Sequence, residues 1–396
     1  MNETVAELIE QFEQIFGPGE LRYFFAPGRI NLIGEHTDYT GGFVFPAALT
    51  LGTWAVVRPR EDGRFRFAST GFPGLIERDV SDIAYRTEDS WANYPKGMVE
   101  QFVANGLRVT GADILFHGDI PNGAGLSSSA SIELATGVAL RALADSDLPM
   151  IELVKMAQRV ENDYIGLKSG IMDQFAVGMG WSGHAMMLRC DTLECDHVPI
   201  RLGDYRLVIA NTNKRRELVE SKYNERWNEC AVALRLLQSK RPTLTCLGEL
   251  QASEWNALRS VIDSEPIRRR VDHVVQENAR VTESKAALEE GDLLRFGQLM
   301  FQSHESLRDL YEVTGTELDA LFEEARRAEG CIGTRMTGAG FGGCTISLVY
   351  GDSIDSFVET VGNGYAAKTG LQPTFYLSAI GGGAREMTEE VQAWRY

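Results

Sequence analysis

No apolar run in this sequence is long enough to span a bilayer. Its opening residues, MNETVAELIEQF, are acidic and amphipathic, so neither a membrane span nor a signal peptide is expected. The six cysteines (Cys190, Cys195, Cys230, Cys246, Cys331, Cys344) form no C-x-x-C pair. Thiols so few and so spread suit a reduced, intracellular chain rather than a disulfide-stapled one. The six histidines are equally dispersed, and no pairing of His with Cys has zinc spacing. Positive charge is scarce: 39 Lys and Arg against 56 Asp and Glu leave a net charge of −17. Such a polyanion repels nucleic acid and anionic membranes, and neither is expected as a partner. The one tight basic cluster, Arg268-Arg269-Arg270, lies beside Asp272 and Glu277 in a helical stretch and reads as a solvated helix face. No Gly-Lys-Ser/Thr occurs, which excludes a Walker A loop. V-A-I-K and H-R-D are missing too, which excludes a protein kinase. The expected location is the cytoplasm.

What is present is a chain of 396 residues, 44% hydrophobic and 24% charged, too long for one compact core and better read as two domains. An opening helix with Val5, Leu8, Ile9, Phe12 and Ile15 on one face stops at Gly17-Pro18-Gly19. Strands are expected at 23–26, 54–57, 65–68 and 114–116, with helices near 91–107, 128–143 and 151–165. The second half opens with a strand at 207–210 and turns to long helices, roughly 216–239, 268–290, 292–311 and 315–329. Strands at 345–349 and 374–377 flank a helix near 353–364. Strands and helices mix without regular βαβ alternation, so the fold class is α+β. The shift toward long helices places the division near residue 195, giving domains 1–195 and 196–396.

Three glycine-bearing segments carry the chemistry. Pro121–Ala130 (PNGAGLSSSA) follows a strand and opens a helix, the order a phosphate cradle needs: glycines admit the anion, and the helix start offers unpaired N–H groups. Three hydroxyls in a row add phosphate donors and a candidate Mg²⁺ ligand; the alternative is a serine N-cap behind a flexible turn. Gly338–Gly343 matches G-x-G-x-x-G, but it leads into a strand rather than a helix, the wrong order for a dinucleotide fold. It is a turn that approaches a ligand closely, or simply a tight bend. Arg29–Tyr39 (RINLIGEHTDY) gathers Glu35, His36, Thr37, Asp38 and Tyr39 in one short loop. Such a density of donors and acceptors is how a protein reads a polyhydroxylated sugar, although a solvated turn would use similar residues.

Between Ile171-Met172 and Gln174-Phe175 sits Asp173, an acid in an apolar setting where ionised carboxylates need a partner. Arg29 is the candidate. Phosphoryl transfer needs positioning, charge neutralisation and one group to orient or deprotonate the attacking hydroxyl, which an Asp–Arg pair supplies; a lone Asp would equally suit a helix cap.

Together these segments resemble the galactokinases, within the superfamily that also holds homoserine, mevalonate and phosphomevalonate kinases. GRINLIGEHTD (28–38) resembles the galactokinase signature, 123–130 the superfamily's phosphate motif, and 337–343 its C-terminal glycine-rich motif. Trp91–Tyr94, Gly170–Gln174, Asn211–Asn213 and Ser221–Arg226 match as well, in the family's order. The resemblance implies a two-domain small-molecule kinase fold, its N-terminal domain of the ribosomal-protein-S5-like type, with the active site in the interdomain cleft. It implies Asp173 as base and Arg29 as transition-state stabiliser. Glu35, His36, Thr37, Asp38, Gly170, Asp173 and Tyr223 would meet the sugar. Gly123, Ala124, Gly125, Leu126, Ser127, Ser128 and Ser129 would hold the ATP phosphates, with Ser69 near the nucleotide; Ser129 and Glu161 would hold Mg²⁺. The implied activity is ATP-dependent phosphorylation of galactose at C1; separately, a monomer is expected. The alternatives are a kinase for N-acetylgalactosamine, galacturonate or arabinose, or a sugar- and ATP-sensing regulator.

Overall fold

The computed structural model describes residues 2–121, 123–214 and 219–394. Among them a six-stranded sheet runs in the order Arg385–Glu386, Arg22–Asn31, Pro46–Pro59, Ala112–Gly118, Arg64–Ser69, Ile76–Asp79. Its pairs are antiparallel except Arg64–Ser69 with Ala112–Gly118. Side chains alternate between two buried faces, as the period of a strand dictates. Phe24, Ala55, Val57, Phe65 and Phe67 pack with the helices Asn93–Ala104, Ser128–Leu143, Met150–Arg159 and Met172–Met179. Tyr23, Phe25, Trp54 and Val56 meet the opening helix Asn2–Phe16 on the other face.

That helix buries Val5, Leu8, Phe12 and Phe16. Ile15, expected on the same face, is 43% exposed: the stripe 5-8-12-16 steps by three and four residues, and position 15 falls at its edge, about 65° from its centre. The Arg268–Arg270 expectation also needs correction. Arg270 is buried, with Nε to Glu229 at 2.8 Å and Nη2 to Glu312 at 2.6 Å, so an interior ion cluster replaces that part of the solvated face.

The second half builds a four-stranded antiparallel sheet, ordered Cys331–Thr337, Cys344–Tyr350, Tyr205–Asn211, Thr374–Leu377. The helices Glu265–Glu290 and Leu293–Ser306 lie against one face, and Thr316–Arg327 with Ile354–Thr369 against the other. A small sheet of Phe43–Val44, His184–Arg189 and Cys195–Pro199 stands between the halves. Residue 195 begins its last strand. The C-terminal segment crosses back, with Arg385 opposite Phe25 and Met387, Val391 and Trp394 packed beside the opening helix.

Candidate active site

The strand Arg22–Asn31 shifts register between Pro27 and Arg29, a bulge of the kind that re-aims a side chain. Glycine is required at the bend, because a Cβ on Gly28 would lie 2.7 Å from the Leu126 carbonyl. The Arg29 amide donates to that same carbonyl at 3.1 Å. Re-aimed, Arg29 donates from Nε and Nη2 to the two oxygens of Asp173 at 2.9 and 2.8 Å, and from Nη1 to the Gly125 carbonyl at 2.6 Å. A two-pronged pair of this kind fixes orientation as well as charge. Ser127 adds a third bond, its hydroxyl donating to Asp173 Oδ2 at 2.5 Å. Ser127 holds the N-cap position of the helix Ser128–Leu143 with φ 61, and makes no cap bond with its side chain. The N-cap alternative is thereby set aside, because the hydroxyl goes to the catalytic candidate instead.

The pair opens on a cavity of about 260 Å³ lined by Glu35, His36, Asp38, Lys168, Gly170 and Tyr223, among others. Within it, a Cβ on Gly170 would fall 1.9 Å from Asp38 Oδ2, so only glycine leaves that carboxylate its place. Burial pushes Asp38 up to about 7, and the charges of Asp173 and Glu35 act in the same direction. Glu35 is spoken for by the protein: Arg335 donates to it at 2.8 Å, Asn31 at 2.5 Å and the Gly338 amide at 2.5 Å. His36 is held neutral, burial bringing it down to about 3 with His273 adding to the effect. Its Nε2 faces the Ala339 carbonyl at 3.1 Å and its Nδ1 the Tyr39 hydroxyl at 2.9 Å. A carbonyl only accepts, so Nε2 carries the proton and Tyr39 donates to Nδ1. Thr37 is the exception among the expected sugar contacts. It does not line the cavity, and its hydroxyl turns to the carbonyls of Gly34 and Phe43 at 2.8 and 2.6 Å.

The glycine turn 338–343 closes a hairpin between the strands Cys331–Thr337 and Cys344–Tyr350, the order read from the sequence. Gly340 has φ +80, and a Cβ there would lie 2.2 Å from the Val313 carbonyl. Gly338 approaches the Gly125 carbonyl, 3.0 Å from its Cβ position. The two glycine motifs and the signature strand therefore meet around Arg29.

A second cavity, about 220 Å³, is lined by Ser69, Phe72, Trp91, Tyr94, Phe116, Ser128 and Ser129, with others. Ser128 and Ser129 thus face one cavity while their neighbour Ser127 binds the acid of the other. Ala124 and Leu126 bury their side chains, leaving only backbone for a ligand. Gly125 gives its carbonyl to Arg29, and Gly123 is exposed with φ 72. Glu161 lies in a wide π turn, Val160–Ile165, that ends the helix expected over 151–165; such turns recur at functional sites. Its carboxyl is buried facing Ser129, Ser169 and Gln174, and burial raises its pKa. Behind it Glu133 and Gln174 are both fully buried, and the Gln174 amide faces the carboxyls of Glu133 and Glu161.

Sequence reasoning missed Ser127 as a partner of Asp173, Arg335 as the cation facing Glu35, and the aromatic walls of the second cavity. Trp91–Tyr94 was legible only as a family match. Arg335 lies inside an ordinary-looking strand, CIGTRMT, and nothing local marks it.

A two-domain α+β architecture with a glycine-rich loop and helix start beside an Arg–Asp pair is that of a small-molecule kinase of the GHMP class. Residues 93–181 match the GHMP kinases N terminal domain, residues 284–367 the GHMP kinases C terminal family, and residues 10–59 the galactokinase galactose-binding signature. The chain is 52% identical over 388 residues to the galactokinase of Bacillus subtilis, covering 97% of this chain and 99% of that one. It is 51% identical to that of Fusobacterium nucleatum over 95% of this chain and 98% of the other. The crystal structure of Lactococcus lactis galactokinase complexed with galactose superposes with a TM-score of 0.94 at 46% identity, covering 96% and 99% of the two chains. Mevalonate kinase of Methanococcus jannaschii, 18% identical with TM-score 0.63 over 92% and 99%, shares the fold. The chain belongs to the galactokinase family.

Proposed function

We propose that this protein transfers the γ-phosphate of ATP to the C1 hydroxyl of α-D-galactose, giving α-D-galactose 1-phosphate and ADP. The observation that carries the reading is the helix start at 127–129. Its first hydroxyl holds the acid of one cavity, while the next two residues line the other. A phosphate seated on that helix start lies between the two pockets, where the amides and helix dipole favour negative charge. Galactose occupies the first cavity, with Asp38, His36, Tyr223 and Gly170 shaping it and Glu35 bracing its loop. Asp173 takes or orients the C1 proton. Arg29 holds that carboxylate in place through its paired bonds and adds positive charge beside the transferring group. The second cavity takes the nucleotide, its aromatic walls suiting a base and Ser69 lying at its edge.

Mg²⁺ fits the same arrangement. Among the described residues no group of three or more His, Cys, Asp or Glu could hold a metal. Ser129 and Glu161 instead offer a hydroxyl and a carboxylate, and Mg²⁺ takes few protein ligands when phosphates and water complete its shell. The cation would neutralise charge on the phosphates. We also infer a cytoplasmic monomer divided near residue 195, with the crossing-back segment counted with the first half. Among the described residues no helix is long and apolar enough to cross a membrane.

ADP release measured at fixed Mg-ATP over galactose, N-acetylgalactosamine, galacturonate and arabinose tests the reading. Turnover is expected to be highest with galactose, with phosphate on the anomeric oxygen by ³¹P NMR. Sugar-independent ADP release, or turnover confined to another sugar, overturns it.

A further inference from the structure

Trp91 stands half-buried in the wall of the second cavity, edge-on to Phe116 at 5.9 Å and stacked with Phe72 at 6.0 Å. The residue before it is in an unusual state. Ser90 has φ 46 and ψ −117, the backbone of the first central position of a type II′ turn, where glycine is preferred because a Cβ is crowded. A serine stays there only if its surroundings over-determine the turn.

The surroundings are a buried ionic cluster that the transfer chemistry does not use. Asp89, on one side of Ser90, is 2% exposed and accepts from Lys96 Nζ at 2.5 Å, Lys96 being fully buried. Arg78 grips the same carboxylate with Nε at 3.0 Å and with Nη2. On the other side Asn93 donates from Nδ2 to the carbonyls of Arg86 at 2.7 Å and Ser90 at 3.1 Å, and its Oδ1 accepts from Lys96 at 3.1 Å. Lys96 therefore ties together the two residues that bracket the strained turn. Burying an ammonium and a carboxylate is a poor route to stability, since packed apolar residues serve as well or better. What such a pair provides is one defined geometry.

We propose that Asp89, Lys96 and Asn93 are positioning residues for the nucleotide: they clamp Ser90 in its glycine-type conformation and so set the Trp91 ring as a fixed stacking face for the base. The inference rests on the second cavity being the nucleotide pocket. Without the clamp the turn relaxes, Trp91 samples other rotamers, and the base loses a pre-organised partner while the sugar pocket is untouched.

The test compares Trp91→Leu, Lys96→Met and Ser90→Gly/Lys96→Met, reading KM for ATP, KM for galactose and kcat, with the difference emission of Trp91 against a Trp91→Phe reference. Lys96→Met is expected to raise KM for ATP about tenfold, the scale of one base–aromatic stacking contact, with galactose KM and kcat little changed and Trp91 emission shifted. In the Ser90→Gly background the same substitution is expected to act several-fold less, because glycine holds the turn without help. A structural role alone would raise both KM values together and show no relief by glycine; either result overturns the inference. If Trp91→Leu leaves KM for ATP unchanged, the nucleotide-pocket reading fails and the inference with it. If Trp91→Leu raises that KM while Lys96→Met does not, the positioning claim alone fails. Should Lys96→Met not fold, Arg78→Gln, at a side chain 21% exposed, takes its place with the same expected split.

Discussion

Asp173 is the residue on which the proposed chemistry turns. It was legible as a carboxylate in an apolar setting, and the need to pair such a charge pointed to Arg29, 144 positions away. Asp173→Asn keeps the shape and the bonds from Arg29 Nη2 or Ser127 but removes the basic charge. Its kcat is expected to fall by about 10²–10⁴, the usual scale of a general base, while galactose binding measured calorimetrically persists. Near-native kcat in a folded variant would leave attack positioned by the glycine loops and cation alone. Asp38 makes a second prediction, through pH. Its folded value near 7 stands above its ordinary 3.8, so the sugar-free folded state holds a proton that the unfolded chain has released. That contribution is present below about 4 and is lost as pH rises through about 7. Asp38→Asn is therefore expected to flatten the Tm profile over that window and raise Tm at pH 8 by a few degrees, while weakening galactose binding. A wild-type and variant profile of equal slope would show that Asp38 is solvated.

At the scale of elements, long amphipathic helices were readable because their periodicity runs over many turns. The expected helix over 128–143 is Ser128–Leu143. Elements that escaped are short or broken: the strands His184–Arg189 and Cys195–Pro199, and the eight-residue helix Met172–Met179 that begins beside Asp173. The π turn at Val160–Ile165 was hidden for another reason, since one extra residue per turn leaves no mark on composition. At the site, the loops were legible by residue type and the facing cations were not, because Arg335 meets Glu35 only through tertiary packing. The start of Ser128–Leu143 carries its own test. If Ser129 is a cation ligand there, Ser129→Ala is expected to raise the Mg²⁺ concentration for half-maximal rate by about tenfold or more, with metal-free nucleotide binding nearly unchanged. Equal loss of both would assign Ser129 to phosphate alone.

Across the whole molecule, the two halves are joined by charge as well as by packing. Arg335, on the second sheet, is fully buried and donates to Glu35 and to the Asn31 carbonyl at 3.0 Å. Glu277, on the long helix, accepts from the Gly34 amide at 2.9 Å. Removing one partner of a buried pair leaves the other charge stranded, at about 3–5 kcal/mol. Arg335→Met is therefore expected to lower Tm well beyond a surface substitution and to raise KM for galactose in whatever remains folded. A Tm within one or two degrees of wild type would mean that Glu35 finds other donors at no loss.

The short strand Arg385–Glu386 covers the outer side of Arg22–Asn31, and Met387, Val391 and Trp394 finish the apolar layer under the opening helix. On the ribosome this cover arrives about 350 residues after the strand it protects. Until then the nascent first half presents an unpaired strand and an incomplete apolar layer to its surroundings, the kind of edge that recruits other chains. The early part of the protein must therefore wait in a sticky, half-closed state while those intervening residues are made. It should be a natural client for chaperones that bind nascent chains, and a release just short of residue 385 should yield aggregates rather than a slightly weakened enzyme.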